Sequence, residues 1–384
     1  MIDLKKVDQA SKMAARWLVK SSQIVDRDDP SLGAFRTEYD LAEGKLRLSN
    51  EVWQTSEAIR ALLKIHARTG NPAWKDSAVL AGRYLESVQC TPKDGMEAGS
   101  LWKPWLQGKD SLSVSMNYRS IVGFLELYSA TGASHYLDNS RSIVDWFMKR
   151  VYRGGGTHLD RFFPDKKAFG WPRSHILEEG SFVTLHDLTR EDRYAAILRD
   201  QVDGLISSLE PEGTFSCMHT PRMETEAEAG PNEIPSRSMY WHLVPMLMVQ
   251  LKRSSARTMD ALNSGVALMR DLQDPEGFLS RTYPLERGAA ARSEPDGAAT
   301  AMFAFIWMKM REVSGEEAYE QSAEKALSWM LKSQFVVHRE VDAFGAFFQE
   351  RKLLEGRATN YLGGLASIYG ILACEEYLRV HGGR

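Results

Sequence analysis

Two segments of this sequence are apolar all the way round a helix: Ala301-Met302-Phe303-Ala304-Phe305-Ile306-Trp307 and the run from Leu362 to Leu372. A helix of that kind must be covered on every face. Helices of another kind alternate with these. In the segment near 316–335, Ala323, Ala326, Leu327, Met330 and Leu331 share one stripe, and Glu320, Glu324, Lys325 and Lys332 lie off it. The alternation runs through six pairs. Amphipathic helices are expected near 3–23, 72–89, 134–152, 193–209, 256–273 and 316–335. Their partners are expected near 51–68, 114–131, 174–188, 236–252, 297–313 and 359–380. Two concentric rings, six helices inside and six outside, bury both kinds at once. The expected fold is all-α, an (α/α)6 toroid, with residues 1–384 forming a single domain.

Connection lengths say where such a ring works. Short turns such as Thr69-Gly70-Asn71-Pro72, Thr131-Gly132-Ala133-Ser134 and Val313-Ser314-Gly315-Glu316 lead from inner to outer helices. Outer helices end on a recurring phrase, Lys20-Ser21-Ser22-Gln23, Ser87-Val88-Gln89, Asp271-Leu272-Gln273 and Lys332-Ser333-Gln334. Long connections follow, often with a glycine and then an aromatic: Gly33-Ala34-Phe35, Gly213-Thr214-Phe215, Gly277-Phe278, Gly345-Ala346-Phe347. In an alternating ring all six long connections emerge at one end. Long loops rich in Trp, Gly, Arg and Pro are functional rather than disordered. The inner-helix N-termini at that end favour anionic or hydroxyl-rich ligands. A funnel there is the expected site.

Bulk properties exclude several alternatives. Lys plus Arg is 48 against 51 for Asp plus Glu, a net charge of −3, so no basic face for nucleic acid is expected. No unbroken apolar stretch approaches the roughly 18 residues of a membrane span. The N-terminal stretch has scattered charge and no apolar core, which is unlike a signal peptide. Cys90, Cys217 and Cys374 are far apart and odd in number, which points to the cytoplasm rather than a disulfide scaffold. Neither GxGxxG nor a P-loop is present, so no nucleotide cofactor is expected. Cys217, His219 and His242 are the best metal set, but without CxxC or HExxH spacing no metal is expected.

The first turns of the inner helices are polar and aromatic. They hold Asn50, Glu51, Trp53 and Gln54; Ser115, Asn117, Tyr118 and Arg119; Trp171, Arg173, His175 and Glu178; Arg237, Tyr240, Trp241 and His242; Glu294 and Asp296; and Asn360 with Tyr361. Asn50, Ser115, Ser174, Ser236 and Asn360 also suit helix caps. Trp17, Trp74, Trp146, Trp307 and Trp329 fit core positions, while Trp53, Trp102, Trp105, Trp171 and Trp241 fall near the mouth. Indole faces there match the apolar faces of sugar rings, and Asn, Arg and carboxylates match hydroxyls.

Paired carboxylates would serve general acid and base work on a glycosidic bond. Glu178 and Asp296 are the first choice; Glu51, Glu294 and the strip Glu224, Glu226 and Glu228 are further candidates. Trp53, Trp171 and Trp241 would be sugar platforms, with Asn117, Arg119, Arg173, Arg237, Asn360 and Tyr361 also binding substrate. Proton abstraction beside a sugar carboxylate is the rival chemistry, and Tyr118, His175, Tyr240 and His242 would carry it.

The stretch Asn117-Tyr118-Arg119-Ser120-Ile121-Val122-Gly123-Phe124-Leu125-Glu126-Leu127-Tyr128, followed by Thr131-Gly132 and Tyr136, is similar in layout to the unsaturated glucuronyl hydrolases. Those are single-domain cytoplasmic six-hairpin enzymes of about this length. They place one catalytic Asp just before the Gly-Phe of that helix and another at the start of the next inner helix. This chain has Tyr118 with Arg119, and Ser174 with His175, at those places. The resemblance therefore implies the six-hairpin fold and a sugar substrate, but not vinyl-ether hydration. The Gln and Gly-aromatic repeat also resembles terpenoid cyclases, although Asp26-Arg27-Asp28-Asp29 is not their Asp-rich motif. Sugar 2-epimerases of this architecture use paired histidines, which His175 and His242 would mimic. The expected function is cleavage of a glycosidic bond in an oligosaccharide containing an acidic sugar. Lyase or epimerase chemistry is the alternative, and then a cyclase-like enzyme or a non-catalytic binding toroid.

Overall fold

Each expected outer helix forms. The computed structural model describes residues 2–47, 52–103, 112–216, 233–286, 294–337, 342–354 and 357–383. The outer helices are α1 (Leu4–Trp17, continued by one π-helical turn over Leu18–Ser22), α3 (Pro72–Val88), α6 (Ser134–Arg150), α8 (Asp192–Ser207), α10 (Ala256–Asp271) and α12 (Glu317–Ser333). The inner ones are α2 (Val52–Thr69), the broken pair α4 (Ser115–Arg119) and α5 (Ile121–Thr131), α7 (Ser181–Thr189), α9 (Ser236–Lys252), α11 (Gly297–Ser314) and α13 (Gly364–His381). The amphipathic stripe of α12 buries Tyr319, Ala323, Ala326, Leu327 and Met330. In α11, every residue from Gly297 to Met308 is buried. No helix among the described residues is long and apolar enough to cross a membrane.

Inner-to-outer connections are two or three residues long, as at 70–71, 132–133 and 253–255. The long connections carry short strands that helical periodicity alone did not anticipate. Strands β1 (Glu38–Asp40), β2 (Lys45–Arg47), β8 (Phe348–Leu354) and β9 (Arg357–Gly363) form one antiparallel sheet in the order β2-β1-β9-β8. Strands β3 (Leu112–Ser113), β4 (Thr157–Phe163) and β5 (Ala168–His175) form another, and β6 (Glu233–Pro235) pairs with β7 (Thr282–Pro284). Two inner helices therefore start later than expected. His175, Trp171 and Arg173 lie on β5, opposite β4, and Asn360 and Tyr361 lie on β9.

The recurring glutamine is a latch. Gln23 donates to the carbonyls of Gly33 and Ser77 at 3.2 and 3.0 Å. Gln89 does the same to Gly99 and Asn139, and Gln273 to Gly277 and Ser322. Each second carbonyl belongs to the next outer helix round the ring. Gln334 closes the circle, donating to Gly345 at 2.8 Å and to Ala10 of α1 at 3.0 Å. Gly345 has φ +97°, and a methyl group there would run into the carbonyl oxygen of Met13. A second tether joins the residue two beyond each glycine to an inner helix. The Phe35 N–H donates to Thr55 Oγ1, Leu279 to Thr300 Oγ1 and Phe347 to Ser367 Oγ. Arg68 of α2 and Ser11 of α1 both bind Glu375 of α13, at 2.5 and 2.6 Å, beside the closure.

Candidate active site

The site is built on one stripe of α2. Trp53, Glu57 and Arg60 are spaced by four and three residues, so they share a face and descend from the mouth into the ring. Nothing in an all-helical bundle requires a carboxylate and a guanidinium there. At the mouth, Trp53 meets Trp241 of α9 edge to face, with ring centroids 5.6 Å apart. The two are 8 and 7 % exposed. The guanidinium of Arg119 lies 4.1 Å from the Trp241 ring and 5.9 Å from Trp53, and its Nε donates to the carbonyl of Leu177 at 2.8 Å. This layer joins a cation to two aromatic rings.

Below it is a buried ionic cluster. Arg60 Nη1 pairs with Glu179, in the turn before α7, and donates to Glu57 at 3.5 Å. Tyr240 of α9 donates to Glu179 at 3.1 Å, and Tyr369 of α13 donates to its other oxygen. Three inner helices, α2, α9 and α13, thus each send one donor to this carboxylate. Burial, then the neighbouring Glu179, pushes Glu57 well above the usual carboxylate range. The same two causes raise both tyrosines, which keeps them protonated donors. Glu57 is thus a carboxyl biased toward its protonated form, one helical turn beneath the mouth and beside a second carboxyl group. A cavity of about 90 Å³ adjoins Arg60 and Glu179 from the side of Ser129 and Met248, in the C-terminal parts of α5 and α9.

The expected acid–base pair is not assembled. Glu178 is fully buried, accepts from the N–H of Ser181 and lies 3.5 Å from Gln201 of outer helix α8, so it faces away from the axis. Asp296 caps α11, accepting from the Ala299 N–H at 2.9 Å, and Arg237 Nε lies 2.8 Å from it. No described contact joins these two carboxylates. Arg237 also approaches Glu350 at 3.5 Å, so carboxylates, not open space, surround it.

The rival proton-transfer set is dispersed too. His242 contacts the Ser238 carbonyl through Nδ1 at 2.7 Å and stacks on Phe215. His175 lies by His158, and burial followed by that neighbour lowers it to about 4. The hydroxyl of Tyr118 meets His158 Nε2 at 3.0 Å and accepts from the Leu177 N–H at 3.2 Å. Only Tyr240 of that set reaches the central cluster.

Other expectations sort the same way. Asn117 is fully buried and accepts from the Leu101 N–H, two residues beyond Gly99. It occupies the tether position that Thr55, Thr300 and Ser367 hold elsewhere, so it serves the repeat rather than a sugar. Ser115 and Ser236 are first helical residues, not caps. Trp102 stacks on Phe162 at 4.8 Å, a core anchor and not a platform. Tyr361 is buried and donates to Asp40, while Asn360 is exposed on its strand. Asn50, Glu51, Trp105, Cys217, His219, Glu224, Glu226 and Glu228 lie outside the described residues. Sequence reasoning passed over Glu57, Arg60, Glu179 and Tyr369. The available signal was a charged pair at helical spacing below Trp53.

No family model matches the chain, and no curated protein matches it in sequence. Solved structures do match it in shape. A cellobiose 2-epimerase from Bacillus thermoamylovorans superposes with a TM-score of 0.74 at 9 % identity, over 98 % of this chain and 99 % of its own. A D-mannose isomerase gives 0.72 at 13 % identity, over 97 % of both chains. An unsaturated glucuronyl hydrolase specific for heparin gives 0.69 at 12 % identity, over 98 % of both. The fold is a six-hairpin (α/α)6 toroid. The match spans nearly the whole length of each chain. At such low identity the likeness is one of shape.

Proposed function

We propose that this toroid is a carbohydrate-active enzyme that hydrolyses a glycosidic bond beside an acidic sugar. Glu57 is the proton donor and Glu179 the base, the roles that sequence reasoning gave to Glu178 and Asp296. The observation that carries this reading is the Glu57–Arg60–Glu179 triad under the Trp53–Arg119–Trp241 layer. Burial and its neighbour bias one carboxyl toward its protonated form, and the other accepts from Arg60 and two phenols, which suits the division of labour that glycosidic cleavage requires. The Glu57 proton passes to the leaving oxygen as the anomeric carbon–oxygen bond breaks. Glu179 takes a proton from the water whose oxygen bonds to that carbon. Arg60 stabilises the carboxylate that Glu57 becomes, and Tyr240 and Tyr369 hold Glu179 in place. Arg119 meets the uronate carboxylate, and the two tryptophans meet the sugar faces. Asn360, exposed on β9, extends the binding surface. Similar shape among sugar-processing enzymes supports a sugar substrate, and two buried cysteines without a disulfide, Cys90 and Cys374, suit a cytoplasmic setting.

One observation favours epimerisation instead. Two phenols donate to Glu179, so that carboxylate could take a proton from carbon and a phenol could return one. The test is incubation with uronate-containing oligosaccharides. Hydrolysis gives new reducing ends with no absorbance near 235 nm, and Glu57→Gln and Glu179→Gln each lower kcat at least roughly 100-fold. A conjugated product absorbing there, or an epimer of unchanged length, would replace hydrolysis with elimination or epimerisation.

A further inference from the structure

We infer that Glu320, Glu324 and His381 form a divalent-metal site, suited to zinc, between the end of α13 and the neighbouring α12. Glu320 and Glu324 are one helical turn apart, so both carboxylates project from the same face of α12. His381 is the last residue of α13. One ligand atom from each of the three lies within 4.8 Å of the other two.

The histidine makes this more than an acidic patch. His381 is 4 % exposed, and neither of its ring nitrogens has a hydrogen-bond partner. A buried imidazole left that way is costly. Its Nε2 points toward the carboxylates and is 3.5 Å from Glu320 Oε1. The neighbouring groups orient the site. Arg311 Nε donates to Oε2 of Glu320 at 3.2 Å, which leaves Oε1 turned to the histidine. The Tyr377 hydroxyl donates to Glu324 at 2.8 Å, and its ring lies against that of His381 at 4.2 Å.

Charge and chemistry agree on the ion. Two carboxylates and an imidazole keep net negative charge even after Arg311 offsets Glu320, and the C-terminal end of α13 favours a cation. An imidazole among the ligands selects zinc over calcium or magnesium, which prefer oxygen alone. Zinc bonds of about 2.0–2.2 Å need the three atoms to close by roughly an ångström, within the reach of glutamate rotamers. The ion would pin the last turn of an inner helix to an outer one, far from the long-loop mouth, so the site is independent of the proposed catalysis.

The test is zinc titration of the untagged full chain at pH 7 by calorimetry, with cobalt(II) as a spectroscopic stand-in. Wild type should take up one tightly bound equivalent and show a cobalt band indicating nitrogen and oxygen ligands. His381→Ala, Glu320→Gln and Glu324→Gln should each weaken binding at least tenfold. Zinc should raise the thermal midpoint of wild type but not of His381→Ala. Glu324→Gln keeps an acceptor for Tyr377, so it tests ligation with the local packing intact. If His381→Ala binds zinc as well as wild type, or wild type binds none, the trio is only a histidine–carboxylate ion pair and the proposal fails.

Discussion

Arg60 sits between two carboxylates at the centre of the ring, and each of the three depends on the others. Its partners are buried, so Arg60→Met leaves uncompensated negative charge. Such a change costs about 3–5 kcal/mol, and it should appear as a lower urea midpoint with an unchanged slope. Asn117→Ala makes the opposite distinction. Loss of its bond to the Leu101 N–H should cost about 1–3 kcal/mol while kcat/KM on a cleaved oligosaccharide stays within roughly twofold of wild type. A sugar ligand would behave the other way round. Glu178 gives a pH signature. Burial raises its carboxyl from an ordinary 4.5 to about 7, so in the fold it remains neutral where the unfolded chain is already ionised. The stability it confers is whole below pH 4.5 and is lost as pH climbs to 7. Relative to Glu178→Gln, the wild type should therefore lose up to about 3 kcal/mol over that window, measured by urea unfolding at pH 4.5 and 8.

At the scale of the element, the glutamine latch demands a left-handed glycine packed against a neighbouring helix. Gly345 adopts φ +97° against the backbone of α1. Gly345→Ala should therefore destabilise by at least about 2 kcal/mol, whereas Gly132→Ala, with open space around it, should cost less. Differential scanning calorimetry of the pair checks this. The repeat that contains the latch was legible because periodicity and a recurring Gln and Gly phrase report burial directly. The starts of α7 and α13 were not. Thr157–Phe163 alternates buried and half-buried residues with the period of a strand, and its partner Ala168–His175 pairs with it across a turn. Long-range pairing of that kind outweighs any helical tendency near 174–180. The site was half legible for a related reason. Trp53, Arg119, Tyr240 and Trp241 were visible as polar or aromatic residues at a helix mouth. Glu57, Arg60 and Tyr369 lie deeper, where a sequence pattern shows helix but not which side faces the axis. Sequence reasoning takes Glu178 and passes over Glu179, since adjacent carboxylates look alike until the backbone turns one to Gln201 and the other to Arg60.

Over the whole molecule, α1 is the keystone. It accepts the Gln334 latch through Ala10, binds Glu375 through Ser11 and holds the Asp342 carbonyl through Trp17 at 2.7 Å. Deleting residues 1–22 should therefore expose the flanks of α12 and α13 together. The truncated chain is expected to lose its single cooperative thermal transition rather than melt a few degrees lower. The latches have a broader meaning for how such a molecule can diverge. Each one clamps the base of a long connection through backbone carbonyls, one of them a glycine's, and so constrains the clamp without constraining the side chains beyond it. Whatever lies beyond the clamp is free to be lengthened, shortened or rewritten without disturbing its neighbours. Shape and specificity are therefore inherited separately here, and near-identical rings with unrelated rims are the natural outcome.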